Sequence, residues 1–240
     1  MNLQESTWLQ AEKALAATDL AIVPLGALEV YGPHLPMGSD GLVALEMSRR
    51  LAERTGALMT PLVPVGCSQS LMSFPATLSV ESDALKAYLR GICQSLASHG
   101  IKRILFVNGH AGNVTLVGEL SRELGAQGIK CAQVDWWVAV AKAAPNVTDT
   151  PSPHSHAGEA CTSVLLAVRP DLVDQGRITK EDARRGLMGK YPEVIQYGRS
   201  FREISTSGMT GDATTATKEK GEAMVALVLA RVEAFLQEWK

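Results

Sequence analysis

His34, His110, His154 and His156 fall in three short segments rich in small and polar residues, and His99 sits at an ordinary helix end. The first segment is Gly26-Ala27-Leu28-Glu29-Val30-Tyr31-Gly32-Pro33-His34-Leu35-Pro36-Met37-Gly38-Ser39-Asp40. The second is Asn108-Gly109-His110-Ala111-Gly112-Asn113, and the third runs from Pro153 through His154, His156 and Glu159 to Cys161 and Ser163. Glycines allow tight turns and prolines stiffen them, so such loops can fix side chains in space. Carboxylates and imidazoles together suit Zn, Mn or Fe(II). A catalytic ion keeps a coordination position open for water and lowers that water's pKa toward about 7. A neighbouring Glu or His can then carry protons to the leaving group. The chemistry indicated is metal-assisted hydrolysis.

Each segment also has a plainer reading. The first can be a loop with solvated carboxylates and a capping Asp40. His110 can be a turn histidine bonded to backbone. Helix capping explains Glu159 through the dipole but leaves two neighbouring histidines unexplained. Convergence of the three segments in space would favour a metal site over these plainer roles.

The surrounding pattern says how they converge. Leu20–Leu25 and the run from Lys102 to Val107 read as buried strands, and Ile129–Val134 as another. Pro24 should lie near the end of its strand. Ala57–Val65 is a further apolar run, broken by Pro61 and Pro64. Helical spacing begins at Gly41 after Ser39 or Asp40 as cap, spans Glu81–His99 with Ser79 as cap, and follows Asn113 to about Leu124. Glu159–Ala167 and Thr217–Trp239 complete the helices, and 176–212 reads as loop with short elements. Strands alternating with helices predict an α/β fold: one domain over 1–240, a mostly parallel sheet with helices on both faces. Ligands of such sheets bind beyond the carboxyl ends of the strands, where these segments lie. Of the Trp136-Trp137 pair, one should pack in the core and one wall a pocket.

Composition removes other classes. The 240 residues carry 23 Lys and Arg against 25 Asp and Glu, a formal charge of −2, which leaves no footprint for nucleic acid. No apolar run spans a membrane and no secretory pattern opens the chain. Cys67, Cys93, Cys131 and Cys161 form no CxxC, which points to buried thiols in a reducing cytoplasm. No GxGxxG after a strand, P-loop, HExxH or GxSxG is present.

The three segments resemble the creatininase (creatinine amidohydrolase) family. Its pattern is similar to G-x-x-E-x-H-G-x-H-L-P-x-x-x-D, then N-G-H-G-G-N, then H-A-G-E-x-E-T-S. This chain reads GALEVYGPHLPMGSD, NGHAGN and HAGEACTS, and its Ser207–Gly221 stretch resembles the family's G-x-x-G-D-x-x-x-A-T-x-E-K-G. The resemblance implies an α/β metal-dependent hydrolase of small cyclic amides or formamides, assembled as a homo-oligomer and often a hexamer. It implies Glu29, Asp40 and His110 as metal ligands and Asp40 as the bridge where two ions are present. Glu159 is implied as ligand or proton carrier, His156 as its partner in proton transfer, and His34 or Tyr31 as substrate-orienting groups.

Three departures modify this. Tyr31 stands where the family has a metal-binding His, Cys161 where it has the Glu of E-T-S, and Gly112 where creatininase itself carries a ligand Glu. Each weakens a second metal position, so one firmly bound divalent ion per chain is expected, and creatinine is disfavoured as substrate. Two alternatives accompany this reading. One is hydrolysis of a C–C bond in a cyclic ketone or keto-sugar at the same site. The other is a non-catalytic metabolite-binding relative.

Overall fold

The computed structural model describes residues 1–191, 193–194 and 198–240. Helix α1 (Trp8–Leu15) precedes strand β1 (Leu20–Leu25), helix α2 (Ser39–Thr55), strand β2 (Leu58–Met59), helix α3 (Ser82–Ser98) and strand β3 (Arg103–Asn108). Helix α4 (Val114–Gly125), strand β4 (Lys130–Asp135), α5 (Trp136–Ala143) and α6 (Glu159–Val168) follow. The remainder contains β5 (Lys180–Glu181), the one-turn helices α7 (Leu187–Lys190) and α8 (Phe201–Ile204), β6 (Gly211–Asp212) and α9 (Lys218–Glu238).

The sheet order is β2-β1-β3-β4 and every neighbouring pair is parallel. Side chains alternate across it, as the strand period requires. Leu20, Ile22, Leu105 and Val107 face one layer, which holds α2, α5, α6 and α9. Ala21, Val23, Leu25, Ile104 and Phe106 face the other, which holds α3 and α4. Both faces are covered, so β1 is buried along its whole length. The connection from β1 to β2 uses α2 on one face, and the return to β3 uses α3 on the opposite face. The chain therefore reverses direction across the sheet between β1 and β3. Their carboxyl ends diverge into a crevice there.

Several local details depart from the sequence reading. The run 57–65 makes only a two-residue strand, because Pro61 and Pro64 lack the N–H a ladder needs. Val63 still donates to the Pro24 carbonyl at 3.0 Å, and its own carbonyl accepts from Gly26 at 2.9 Å. Pro24 sits in a central strand, on the side where β2 has already ended, so its missing N–H breaks no ladder bond there. Neither Ser39 nor Asp40 caps α2: Ser39 Oγ donates to the Pro36 carbonyl at 2.6 Å, and Asp40 is used elsewhere. Ser79 does not cap α3, which begins after Glu81; its hydroxyl accepts from Ser68 N at 2.9 Å. Helices α1 and α5 have no counterpart in the sequence reading. Of the stretch 176–212, residues 192 and 195–197 lie outside the described residues. No helix among the described residues is long and apolar enough to cross a membrane.

Phe106 on β3 is fully buried among α3 and α4 residues. Phe106→Ala is expected to cost about 3–5 kcal/mol in chemical denaturation, through lost burial and the cavity left behind. A loss below about 1 kcal/mol would contradict the packing described for this layer.

Candidate metal centre

The crevice between β1 and β3 collects side chains from three directions. The loop after β1 brings Glu29, the first turn of α2 brings Asp40, and the turn after β3 brings His110. Among the described residues these three form a buried group whose ligand atoms all lie within 4.8 Å of one another. His110 Nδ1 is 3.0 Å from Glu29 Oε2 and 3.1 Å from Asp40 Oδ2.

The ring of His110 is fixed from behind. Its Nε2–H donates to the Cys67 carbonyl at 3.0 Å, and a carbonyl can only accept. The neutral ring therefore presents Nδ1 as its lone-pair nitrogen toward the two carboxylates, the arrangement that orients metal-bound imidazoles. Ser68 Oγ donates to Glu29 Oε2 at 2.8 Å and lies 3.3 Å from His110 Nε2. Two asparagines hold the turn. Asn108 Oδ1 accepts from His110 N at 3.1 Å, while its Nδ2 donates to the His110 carbonyl and to Asp135 Oδ1. Asn113 Oδ1 accepts from Cys67 N, and its Nδ2 donates to the Gly26 carbonyl at 3.1 Å and to Asn108 Oδ1. One side chain thus ties the loop after β1, the Cys67 segment and the loop after β3.

Charge is in conflict at this spot. Burial and the nearby Glu29 charge push the Asp40 carboxyl up to about 7. Burial also opposes ionisation of Glu29, but the His110 bond and charge outweigh it and hold Glu29 below the usual carboxylate range. Burial alone would lower His110; the two carboxylates instead raise it to about 10. Asp40 Oδ2 is buried 3.1 Å from His110 Nδ1, and once His110 is neutral that oxygen has no donor. Two carboxylates and a pre-set imidazole, with one oxygen unpaired, fit a divalent cation with O/N preference.

A cavity of about 320 Å³ opens over the group. That is the size of a small-molecule site. Tyr31 and His156 line it with Glu29, Asp40 and His110, and so do Cys67, Cys161, His154, Trp137 and Phe201. Trp136 is core and Trp137 is wall, the division expected of the pair. Tyr31 packs on His156 with ring centroids 4.3 Å apart, and Phe201 meets His156 edge-on at 5.0 Å. His156 Nε2–H donates to the Val30 carbonyl at 2.7 Å. Burial lowers the His156 pKa, so the ring is neutral at pH 7 with Nδ1 unprotonated. The Tyr31 hydroxyl lies 3.8 Å from Cys161 Sγ. Burial, with Asp40 and Cys161 alongside, raises the phenol well above its usual range, and burial pushes the Cys161 thiol up to about 12. Both groups therefore carry their protons at neutral pH.

Two residues singled out in the sequence are placed elsewhere. His34 is buried behind the first loop, where Nε2 meets Thr162 Oγ1 at 2.9 Å, and it does not line the cavity. Glu159 stands outside the metal group. Its oxygens accept from Asp149 N, Thr150 N, Thr150 Oγ1 and Lys220 Nζ, so neither is available as a ligand or proton carrier. Conversely, Cys67 and Ser68, just past the apolar run 57–65, and Asn113, last residue of the second segment, support the centre although the sequence reading gives none of them a role in it. At Gly112 a Cβ would overlap the Cys67 carbonyl oxygen and lie 2.6 Å from His110 Nε2, so no ligand side chain can replace this glycine without disturbing the His110 lock.

Known proteins resemble this chain over nearly its whole length. The family model for creatininase, described as creatinine amidohydrolase, matches residues 4–236. Creatinine amidohydrolase of Pseudomonas putida is 30% identical over 254 residues, covering 98% of this chain and 95% of that protein. Mycofactocin precursor peptide peptidase of Mycobacterium ulcerans is 31% identical over 227 residues, covering 91% and 84%. A solved structure named Creatininase Mn superposes with a TM-score of 0.83 at 28% identity, covering 99% of this chain and 97% of the other. Fold and site define a metal-dependent amidohydrolase, an enzyme of C–N bond hydrolysis. The chain belongs to the creatininase family.

Asp40→Ala is expected to abolish binding of Zn or Mn while the far-ultraviolet circular dichroism stays that of the native fold; full metal retention would refute the assignment. Binding should also depend on pH. With Asp40 raised to about 7 and His110 to about 10, protons occupy the group at neutral pH and an ion must displace them. Affinity therefore weakens as pH falls from 8 to 6, with the protons released per ion rising from about one to about two in calorimetry across buffers of different ionisation enthalpy. Affinity independent of pH would contradict this.

Proposed function

We propose that this chain hydrolyses the C–N bond of a small cyclic amide or a formamide, using one firmly held divalent ion. The observation that carries the reading is the buried Glu29–Asp40–His110 group beneath a cavity of small-molecule size. Zn, Mn or Fe(II) held by these three residues would supply Lewis acidity toward a carbonyl and a water activated at neutral pH.

The chain's own residues do the rest. The Cys67 carbonyl keeps the His110 lone pair aimed at the ion's place, and Ser68 keeps Glu29 there. His156 is the proton carrier: Nε2–H is committed to Val30, and the neutral ring leaves Nδ1 to take a proton and return it to the leaving nitrogen. Tyr31 remains a neutral phenol and offers a hydrogen bond to orient the substrate. Trp137 and Phe201 supply apolar walls that exclude water.

The single-ion reading rests on the same geometry. A neutral phenol and a neutral thiol 3.8 Å apart stand beside Asp40. Gly112 leaves no room for a further ligand. Both relatives named above act on amide or peptide bonds by their names, which supports the C–N reading.

Plasma mass spectrometry on untagged protein purified without chelator should give about one ion per chain. Tyr31→His should raise uptake toward two; unchanged uptake would mean Tyr31 does not close the second position. In a panel of lactams, formamides, short peptides and cyclic ketones, chelator-sensitive turnover is expected for the lactams or formamides. Turnover confined to ketones would establish the C–C reading, and tight binding without turnover the non-catalytic one.

A further inference from the structure

The segment that carries His154 and His156 has an anchor that the reaction does not use. Glu159, first residue of α6, is 0% exposed. Oε1 accepts from Asp149 N at 2.9 Å and from Lys220 Nζ at 2.6 Å. Oε2 accepts from Thr150 N at 2.9 Å and from Thr150 Oγ1 at 2.7 Å. Lys220 Nζ donates further to Asp149 Oδ2 and to the Thr215 carbonyl, each at 2.7 Å. A buried carboxylate is tolerable only when paired and fully hydrogen-bonded, and this one is both.

Lys220 reaches that place through a close contact between α9 and α6. A Cβ at Gly221 would overlap the Ser163 carbonyl, so only glycine lets α9 lie this tightly on α6. Thr217 caps α9 by accepting from Lys220 N at 3.2 Å, and Thr217 N donates to Ser163 Oγ at 3.2 Å. Thr217, Lys220 and Gly221 therefore act together to set the ammonium beside Glu159.

Between Thr150 and Glu159 the chain makes the turn that delivers both histidines to the cavity. This turn is strained. Ala157, next to His156, has φ +56°, a left-handed conformation that a residue with a side chain adopts only when its surroundings impose it. The far end of the turn is held by Thr210, which donates its N–H to the His156 carbonyl at 2.8 Å and accepts from His156 N at 3.2 Å. The near end is held by Glu159 through the amides of Asp149 and Thr150 and by Lys220 Nζ on Asp149 Oδ2, and the Pro153 carbonyl accepts from Ala160 N at 2.9 Å.

We propose that Lys220 and Glu159 form a clasp that positions His156 in the cavity by pinning the strained 149–158 turn to α6 and α9. Both are positioning residues. The consequence for turnover rests on the role given to His156 above; the clasp itself does not.

The test uses the full-length, Zn-loaded chain and the variants Lys220→Met and Lys220→Arg. In Lys220→Met, hydrogen exchange at the Asp149 and Thr150 amides should speed up by about tenfold or more, because their acceptor loses its counter-charge. The ring resonances of His156 should shift in nitrogen-labelled histidine spectra. Zn content should match the wild type, since Glu29, Asp40 and His110 come from other elements. Lys220→Arg should restore exchange and ring spectrum. On a panel amide that the wild type turns over, Lys220→Met should lower kcat by about tenfold with KM within about twofold. Unchanged exchange and an unchanged His156 spectrum in folded Lys220→Met would overturn the clasp, as would loss of Zn in parallel. If Lys220→Met does not fold, Glu159→Gln decides by the same readouts. If the wild type turns over no amide, the proposed activity fails while exchange and spectra still judge the clasp.

Discussion

Two carboxylates facing each other in a dry crevice are the constraint on which this molecule turns. Glu29 and Asp40 are both nearly inaccessible to water, and the Glu29 charge makes ionisation of Asp40 harder. A cation must stand between them. The His110 proton serves in part, which is why the imidazole is held so far above its usual pKa. A divalent ion satisfies the same need with one more positive charge, and it gives the unpaired Asp40 Oδ2 a partner. The fold tolerates this tension because the sheet and helices around it are tightly packed on both faces.

The support for the group is made of small polar residues and backbone rather than of further charges. Asn108 and Asn113 close the turn around His110 and join three loops through five hydrogen bonds to backbone and to each other. The Cys67 carbonyl decides which imidazole nitrogen faces the carboxylates. The same carbonyl fills the space where a side chain at position 112 would begin, so orienting His110 and excluding a ligand from position 112 are one structural fact. The neighbouring Tyr31 and Cys161 follow that logic, since both are buried, neutral and in mutual contact. The centre as a whole is rich in neutral hydrogen-bonding groups.

Charge is managed differently at the start of α6. Glu159 is as deeply buried as Glu29, yet its amide and ammonium partners hold it down to about 2. Of two buried glutamates, one is left wanting a cation and the other is fully paired. The first is suited to bind and the second to hold structure.

The sequence by itself determined the alternation of strands and helices, and with it a parallel sheet whose functional loops follow the carboxyl ends of β1 and β3. It also determined which residue types could hold a metal, because carboxylates and imidazoles in short stiff loops have few other uses. It did not reveal which of them face one another. His34 and His110 look alike in a line of text, both set among Gly and small residues. In the folded chain His34 points back to Thr162 on α6 while His110 points into the crevice. The family resemblance implies Glu159 as ligand or proton carrier, but the first turn of α6 aims it at Lys220, which is 61 residues away. Spacing along the chain fixes what sits near what in a loop. The direction of a side chain, and the donor it finds at long range, are set by how α2, α6 and α9 pack on the sheet, and only the tertiary structure decides that.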